Sequence, residues 1–185
     1  ERPTIWRNPK TNDSIIIFQN RQYRFGSSQC APNSVGWGRV DIYAYNLTKR
    51  KMEWMQSNVT PETGNSSARP INIHLDKVFF QGDKHGILID CESGKIVWRR
   101  FFQNESFMRT NSIIAEGKVL LKSETSNMIA LDFESGNIVW ENLEAGHSNS
   151  NMIYHKGNVY YETGLDGRGV LRGLRISDGK VIWTY

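Results

Sequence analysis

The sequence predicts an all-β chain of four consecutive four-stranded antiparallel units, and three observations predict it. Five of the six tryptophans recur in phase: Trp6, Trp54, Trp98, Trp140 and Trp183, at intervals of 48, 44, 42 and 43 residues. Only Trp37 falls off the beat. Short β-rich runs separated by glycine-bearing turns precede the later tryptophans. No stretch sustains the 3.6-residue period of an amphipathic helix, so almost no helix is expected.

Each element follows from the repeat. Asp90-Cys-Glu-Ser-Gly-Lys-Ile-Val-Trp98 is repeated as Asp132-Phe-Glu-Ser-Gly-Asn-Ile-Val-Trp140, and Ser177-Asp-Gly-Lys-Val-Ile-Trp183 is a third copy. Tyr45 to Trp54 is a degraded fourth that lacks the glycine. Upstream lies a second shared element: Asp76-Lys-Val-Phe-Phe, Glu116-Gly-Lys-Val-Leu-Leu and Lys156-Gly-Asn-Val-Tyr-Tyr. In the second unit, Val78 to Phe80, Ile87 to Asp90 and Ile96 to Trp98 read as strands. The Ser-Gly steps supply a residue that tolerates φ > 0 and closes a hairpin. The acidic residue before the turn accepts its backbone N–H groups. The repeats run approximately over 13–56, 72–103, 112–143 and 151–185, and residues 1–8 are expected to be the last strand of a preceding unit.

A four-stranded sheet of this size has two apolar faces and cannot cover both alone. Stacking such sheets radially, as the blades of a β-propeller, solves that problem. The recurrent Trp6, Trp54, Trp98, Trp140 and Trp183 then dock one blade on the next, each burying roughly 150–250 Å². At about 25 cal/mol per Å² that is on the order of 4–6 kcal/mol gross. They are read as structural residues.

The pattern Asp-x-x-Ser/Thr-Gly-x-x-x-Trp, closing a unit of roughly 43 residues, resembles the PQQ-like repeat of quinoprotein alcohol dehydrogenases and of BamB-type propellers. The resemblance covers nearly the whole chain. It implies seven or eight blades in all, so the four present are expected to be half of a longer propeller rather than one half of a pair of copies. It also implies a periplasmic, cell-surface or secreted location, with any lipid anchor on a preceding segment.

Composition narrows the classes further. The chain has 185 residues, enough for a real core, with 38% hydrophobic and 11% aromatic content. Its net charge of +4 comes from interspersed residues, and no Lys/Arg stripe forms, so nucleic acid is not an expected partner. No apolar run approaches the roughly 20 residues of a membrane span. The chain begins at Glu1 and is expected to be a processed form or a piece of a longer protein. Cys30 and Cys91 show no metal spacing and are read as unpaired, with Cys91 buried in a strand, a bridge between them being the alternative. The sequons at Asn12, Asn46, Asn58, Asn65 and Asn104 are read as part of an Asn/Ser-rich surface.

Catalytic signatures are weak. The PQQ-dehydrogenase resemblance would require adjacent cysteines, a Ca²⁺ site of Glu, Asn and Asp, and an Asp base. No adjacent cysteines occur, and Asp90, Asp132 and Asp178 are explained by their turns. His74, His85, His147 and His155 form no zinc spacing. Gly164-Leu-Asp-Gly-Arg-Gly169 is read as a long hairpin loop rather than a phosphate cradle, because no helix follows it.

Loops joining strands two and three, together with the blade connectors, are expected to share one face and to carry function. The first such loop is the longest, from Gln19 to Arg39, and holds Arg21, Tyr23, Arg24, Trp37, Arg39 and Cys30. Arg69, His85, Arg109, Asn111, His147, Asn149 and Asn151 are placed on the same face, making it polar and mildly basic. The favoured reading is a non-catalytic scaffold that binds a protein or polysaccharide partner without a cofactor. A PQQ- and Ca²⁺-dependent oxidoreductase is the alternative, and a carbohydrate-active propeller, which would need paired carboxylates, the second.

Overall fold

The computed structural model describes residues 3–23, 38–61, 71–107, 110–147, 150–165 and 168–185, with residues 21–23, 38–39 and 165 described as backbone only. Among the described residues sixteen strands form four antiparallel sheets, and there is no helix. The first sheet orders β1 (Thr4–Arg7), β2 (Ser14–Tyr23), β3 (Gly38–Asn46) and β4 (Lys51–Gln56). The second orders β5 (Asn72–His74), β6 (Lys77–Gln81), β7 (His85–Asp90) and β8 (Ile96–Phe101). The third contains β9 (Ile113–Ala115), β10 (Lys118–Lys122), β11 (Met128–Asp132) and β12 (Ile138–Asn142). The fourth contains β13 (Ile153–His155), β14 (Asn158–Leu165), β15 (Arg168–Arg175) and β16 (Val181–Thr184). Each sheet follows chain order, the meander expected of a propeller blade.

The chain divides into two compact units, residues 1–99 and 100–185, with the boundary inside β8. In the first unit one core draws on both sheets: Trp6, Ile17, Val40, Ile42 and Trp54 meet Val78, Phe80, Ile87 and Ile89. In the second, Leu120, Met128 and Ala130 meet Val159, Tyr161, Leu174 and Ile176, with half-buried Trp140 against them. Sheet packs on sheet in each, as the two-faced character of the repeat requires.

Two expectations need correction. Residues 1–8 do not end a preceding blade; Thr4–Arg7 pair with Ser14–Ile17 as the first strand of the first sheet. The physical reason is the turn at Asn8–Asp13. The Asn8 N–H donates to the Asp13 carbonyl and the Asn12 N–H to the Asn8 carbonyl, with Asn12 at φ 63°, which folds β1 back onto β2. Trp6 is thus a core residue of its own sheet that shares only a residue type with the later tryptophans. Second, the strand two-to-three loops of the first and fourth blades are shorter than expected. The β2–β3 ladder runs out to Tyr23 opposite Gly38, and β14–β15 to Leu165 opposite Arg168.

A recurrent irregularity had no sequence signal. The register of strands three and four slips beside the blade-ending tryptophan in three blades: after Ala44–Trp54, Ala130–Trp140 and Gly173–Trp183. A bulge at that point bends the last strand and increases its twist. Small residues stand opposite each of these indoles.

Candidate functional site

The two ends of the sheets are built differently. At one end lie the turns between strands three and four. Asp90 Oδ1 accepts from the Ser93 N–H at 2.7 Å and from its hydroxyl at 2.6 Å. Asp132 does the same with Ser135 at 2.8 and 2.7 Å. Burial pushes the Asp90 carboxyl up, but the Ser93 hydroxyl and amide outweigh it and hold it below its ordinary value. Ser135 holds Asp132 down in the same way. In the fourth blade the chemistry is exchanged: Arg175 stands in the aspartate's place, and its guanidinium pairs with Asp178 at 2.9 Å. In the first blade Asn46 takes the role, accepting from the Lys49 N–H at 2.8 Å. These acidic residues are consumed by their turns, as expected.

At the opposite end of each sheet lie its strand two-to-three hairpin and a blade connector. In the third blade, connector residue Glu105 accepts from the Thr125 hydroxyl at 2.7 Å and the Asn127 amide at 2.6 Å, and the Glu124 N–H donates to the Ser106 carbonyl. In the fourth, the His147 carbonyl accepts from the Gly164 N–H and the Thr163 hydroxyl, while the Ser150 hydroxyl bonds to the Glu162 backbone. In the first, buried Asp41 accepts from the Asn58 N–H at 2.7 Å and from the Ser57 hydroxyl. Connectors are therefore laced to rigid strands, which suits a surface that presents variable side chains on a fixed frame.

The expected face residues fare unequally. His147 is exposed on this end. His85, expected there as a contact residue, is a correction: it opens β7 with no exposed surface, because the Gly82 N–H bonds to its carbonyl in a tight turn that folds the ring inward. Asn111 spends its amide on the backbone N–H and carbonyl of Met152. Arg21, Tyr23 and Arg39 belong by backbone to the β2–β3 ladder. Arg24, Trp37, Arg69, Arg109 and Asn149 lie outside the described residues, as does Cys30.

Sequence reasoning missed one feature of this end, a buried amine. Lys122 ends β10 with no exposed surface; its Nζ donates to the Gly146 carbonyl and lies 5.6 Å from the centre of the Tyr161 ring. Arg172 sits nearby and donates to the Glu144 carbonyl at 2.6 Å, and the Tyr161 hydroxyl donates to the Ala145 carbonyl at 3.1 Å. Burial, with the Arg172 charge, brings the Lys122 amine down to about 8. The signal was present: a lysine closing the apolar run Val119-Leu-Leu.

Cys91 is a buried free thiol in the turn after β7, not within a strand, and burial pushes it up to about 12. The sequence contains no cysteine beside it. Among the described residues no group of three His, Cys, Asp or Glu side chains converges as a metal site.

The family model described as outer membrane protein assembly factor BamB matches residues 38–185. The chain belongs to the BamB family. BamB of Yersinia pestis is 28% identical over 116 residues, which are 57% of this chain and 29% of that protein. An uncharacterized protein of Rickettsia conorii is 24% identical over 181 residues, 91% of this chain and 43% of its own. The chain thus spans less than half the length of these relatives. Among solved structures, BamB from Moraxella catarrhalis aligns with a TM-score of 0.61 at 17% identity, covering 98% of this chain and 51% of that one. A europium-containing methanol dehydrogenase aligns with a TM-score of 0.64 at 18% identity, covering 79% and 38%. The BamB and dehydrogenase likenesses share one fold, the β-propeller of four-stranded blades. Among the described residues no helix is long and apolar enough to cross a membrane.

Proposed function

We propose that this BamB-family chain is a non-catalytic periplasmic scaffold that contributes to outer-membrane protein assembly by binding a protein partner. The match to the assembly-factor model over residues 38–185 carries the reading. The construction of the blades supports a location for it: the connectors and strand two-to-three hairpins present His147, Glu105, Asn127 and Glu162 on a backbone fixed by the bonds above. A rigid frame lowers the ordering cost of binding.

Capture of outer-membrane assembly proteins from a detergent extract tests this. Charge-introducing changes at the connector end, His147→Glu with Asn127→Arg, should reduce capture at least tenfold. Glu92→Arg, at the turn end, should leave it unchanged. Equal capture by all variants, or retention on a polysaccharide column instead, would overturn the proposal. The absence of a cofactor is tested separately by adding PQQ and Ca²⁺ and desalting; retained quinone absorbance would restore the oxidoreductase reading.

A further inference from the structure

The connector that leaves β12 is tied down by four of its own carbonyls in succession. The Glu144 carbonyl accepts from the Arg172 guanidinium at 2.6 Å and the Ala145 carbonyl from the Tyr161 hydroxyl at 3.1 Å. The Gly146 carbonyl accepts from the Lys122 amine, and the His147 carbonyl from the Thr163 hydroxyl at 3.0 Å and the Gly164 N–H at 2.7 Å. The donors stand on β10, β14 and β15, so both blades of the second unit grip the same four residues. Gly146 permits the close fit: it lies at φ 86°, where a Cβ would overlap the Thr163 hydroxyl.

The segment is a strap over the core rather than part of it. Leu143, Glu144 and His147 are exposed, and among residues 143–147 only Ala145 is buried. Beyond the single bridge of His147 with Gly164 it enters no ladder. Lifting it would uncover little apolar surface and would exchange its carbonyl bonds for bonds to water, each of modest net value.

What the strap covers is unfavourable to bury. Lys122 has no exposed surface, and an ammonium carries three N–H groups. The Gly146 carbonyl takes one, and the face of the Tyr161 ring lies 5.6 Å away. Arg172 sets a second cation nearby, its own Nε buried without an acceptor. Burial pushes the Tyr161 hydroxyl up, so it remains a donor. Glu144 and His147, the titratable residues of the strap, are exposed, and Met128 faces Lys122 across the β10–β11 ladder. Among the described residues no carboxylate acts on the amine. A cation held in this way is relieved by water.

We propose that residues 143–147 form a proton-coupled strap, lifted from β10, β14 and β15 when Lys122 is protonated and closed over it when the amine is neutral. The direction follows from linkage. Under the closed strap the amine loses its proton at about 8, whereas in water it keeps it up to 10.5, so protons favour opening over the interval between. The strap thereby makes the display of Leu143 and His147 responsive to pH, whatever binds at this end.

Thiol labelling of the full 185-residue chain tests this, using Cys30→Ser with Ala145→Cys. The rate with an aromatic disulfide reagent, divided by the rate of the same chain in urea at the same pH, reports the open fraction; peptide mapping assigns the label. This ratio should fall about twentyfold from pH 7 to pH 9.5. Lys122→Met should make it equal at both pH values. If that variant does not fold, as judged by circular dichroism, Lys122→Arg, whose charge persists, should also abolish the change. Ala130→Cys, in the core of the same unit, should label at least tenfold more slowly than Ala145→Cys at pH 7. A ratio independent of pH, a change that survives substitution of Lys122, or equal labelling at the two positions would overturn the proposal. No partner enters these measurements, so their outcome is separate from that of the scaffold reading.

Discussion

The Trp54 indole covers Gly94 so closely that no side chain fits between them, and its N–H reaches past the glycine to the Cys91 carbonyl. One residue of one blade thereby fixes the turn of the next. Gly94→Ala must displace the indole and also hold φ near 71°, so it should cost about 2–4 kcal/mol. Gly117→Ala, at φ 67° with nothing within 4 Å of the added methyl, should cost only about 1 kcal/mol. Urea midpoints of the two variants separate the packing cost from the backbone cost.

Asp132 gives the turns a pH signature. Its carboxyl lies below the ordinary 3.8 because the Ser135 hydroxyl and N–H favour the charged form. A depressed carboxylate contributes stability above its unfolded pKa and loses it as pH falls through the lower folded value. Wild type should therefore lose more stability than Asp132→Asn between pH 5 and pH 2.5. The group is well solvated, so the difference should be about 0.5 kcal/mol, read from denaturant midpoints across that range.

Lys122 works in the opposite direction. Below about 8 the amine is charged in both folded and unfolded chains, and the cost of burying it is fully felt. Between about 8 and its ordinary 10.5 only the unfolded chain keeps the proton, so stability climbs with pH. The slope cannot exceed about 1.4 kcal/mol per pH unit for one group. Lys122→Met should flatten the rise between pH 8 and 9.5, as measured by urea unfolding. A variant whose profile parallels wild type would show that the amine is not the source.

Cys91 should be inert. Burial raises its thiol to about 12 and leaves no surface for a reagent. With Cys30 replaced by serine, an aromatic disulfide reagent should label the native chain only as fast as it opens, and at once in urea. Rapid native labelling would contradict the packing of the first unit.

The hairpin repeat was legible because each blade must solve the same local problem. Asp90, Ser93 and Gly94 satisfy one another within a few residues, and the spacing of Trp54, Trp98, Trp140 and Trp183 carries the blade length. Periodicity therefore identified four sheets and the chemistry of their turns. It misread Trp6, since a residue type in phase does not say which sheet its strand joins; the turn at Asn8–Asp13 decides that. Among the candidate face residues, His85 and Asn111 went astray for a related reason. A polar side chain beside a turn can face solvent or the backbone, and only neighbouring strands settle which.

The sequence alone determined the all-β repeat and the PQQ-like blade, because local hydrogen bonding and a fixed period are written residue by residue. Tertiary structure decided what each tryptophan rests on. That Trp54 and Trp140 rest on glycines roughly 40 residues ahead is a fact of close approach between sheets. Such contacts join residues about 40 apart in the chain, and although both tryptophan and glycine recur with the repeat, nothing in the sequence says that one rests on the other.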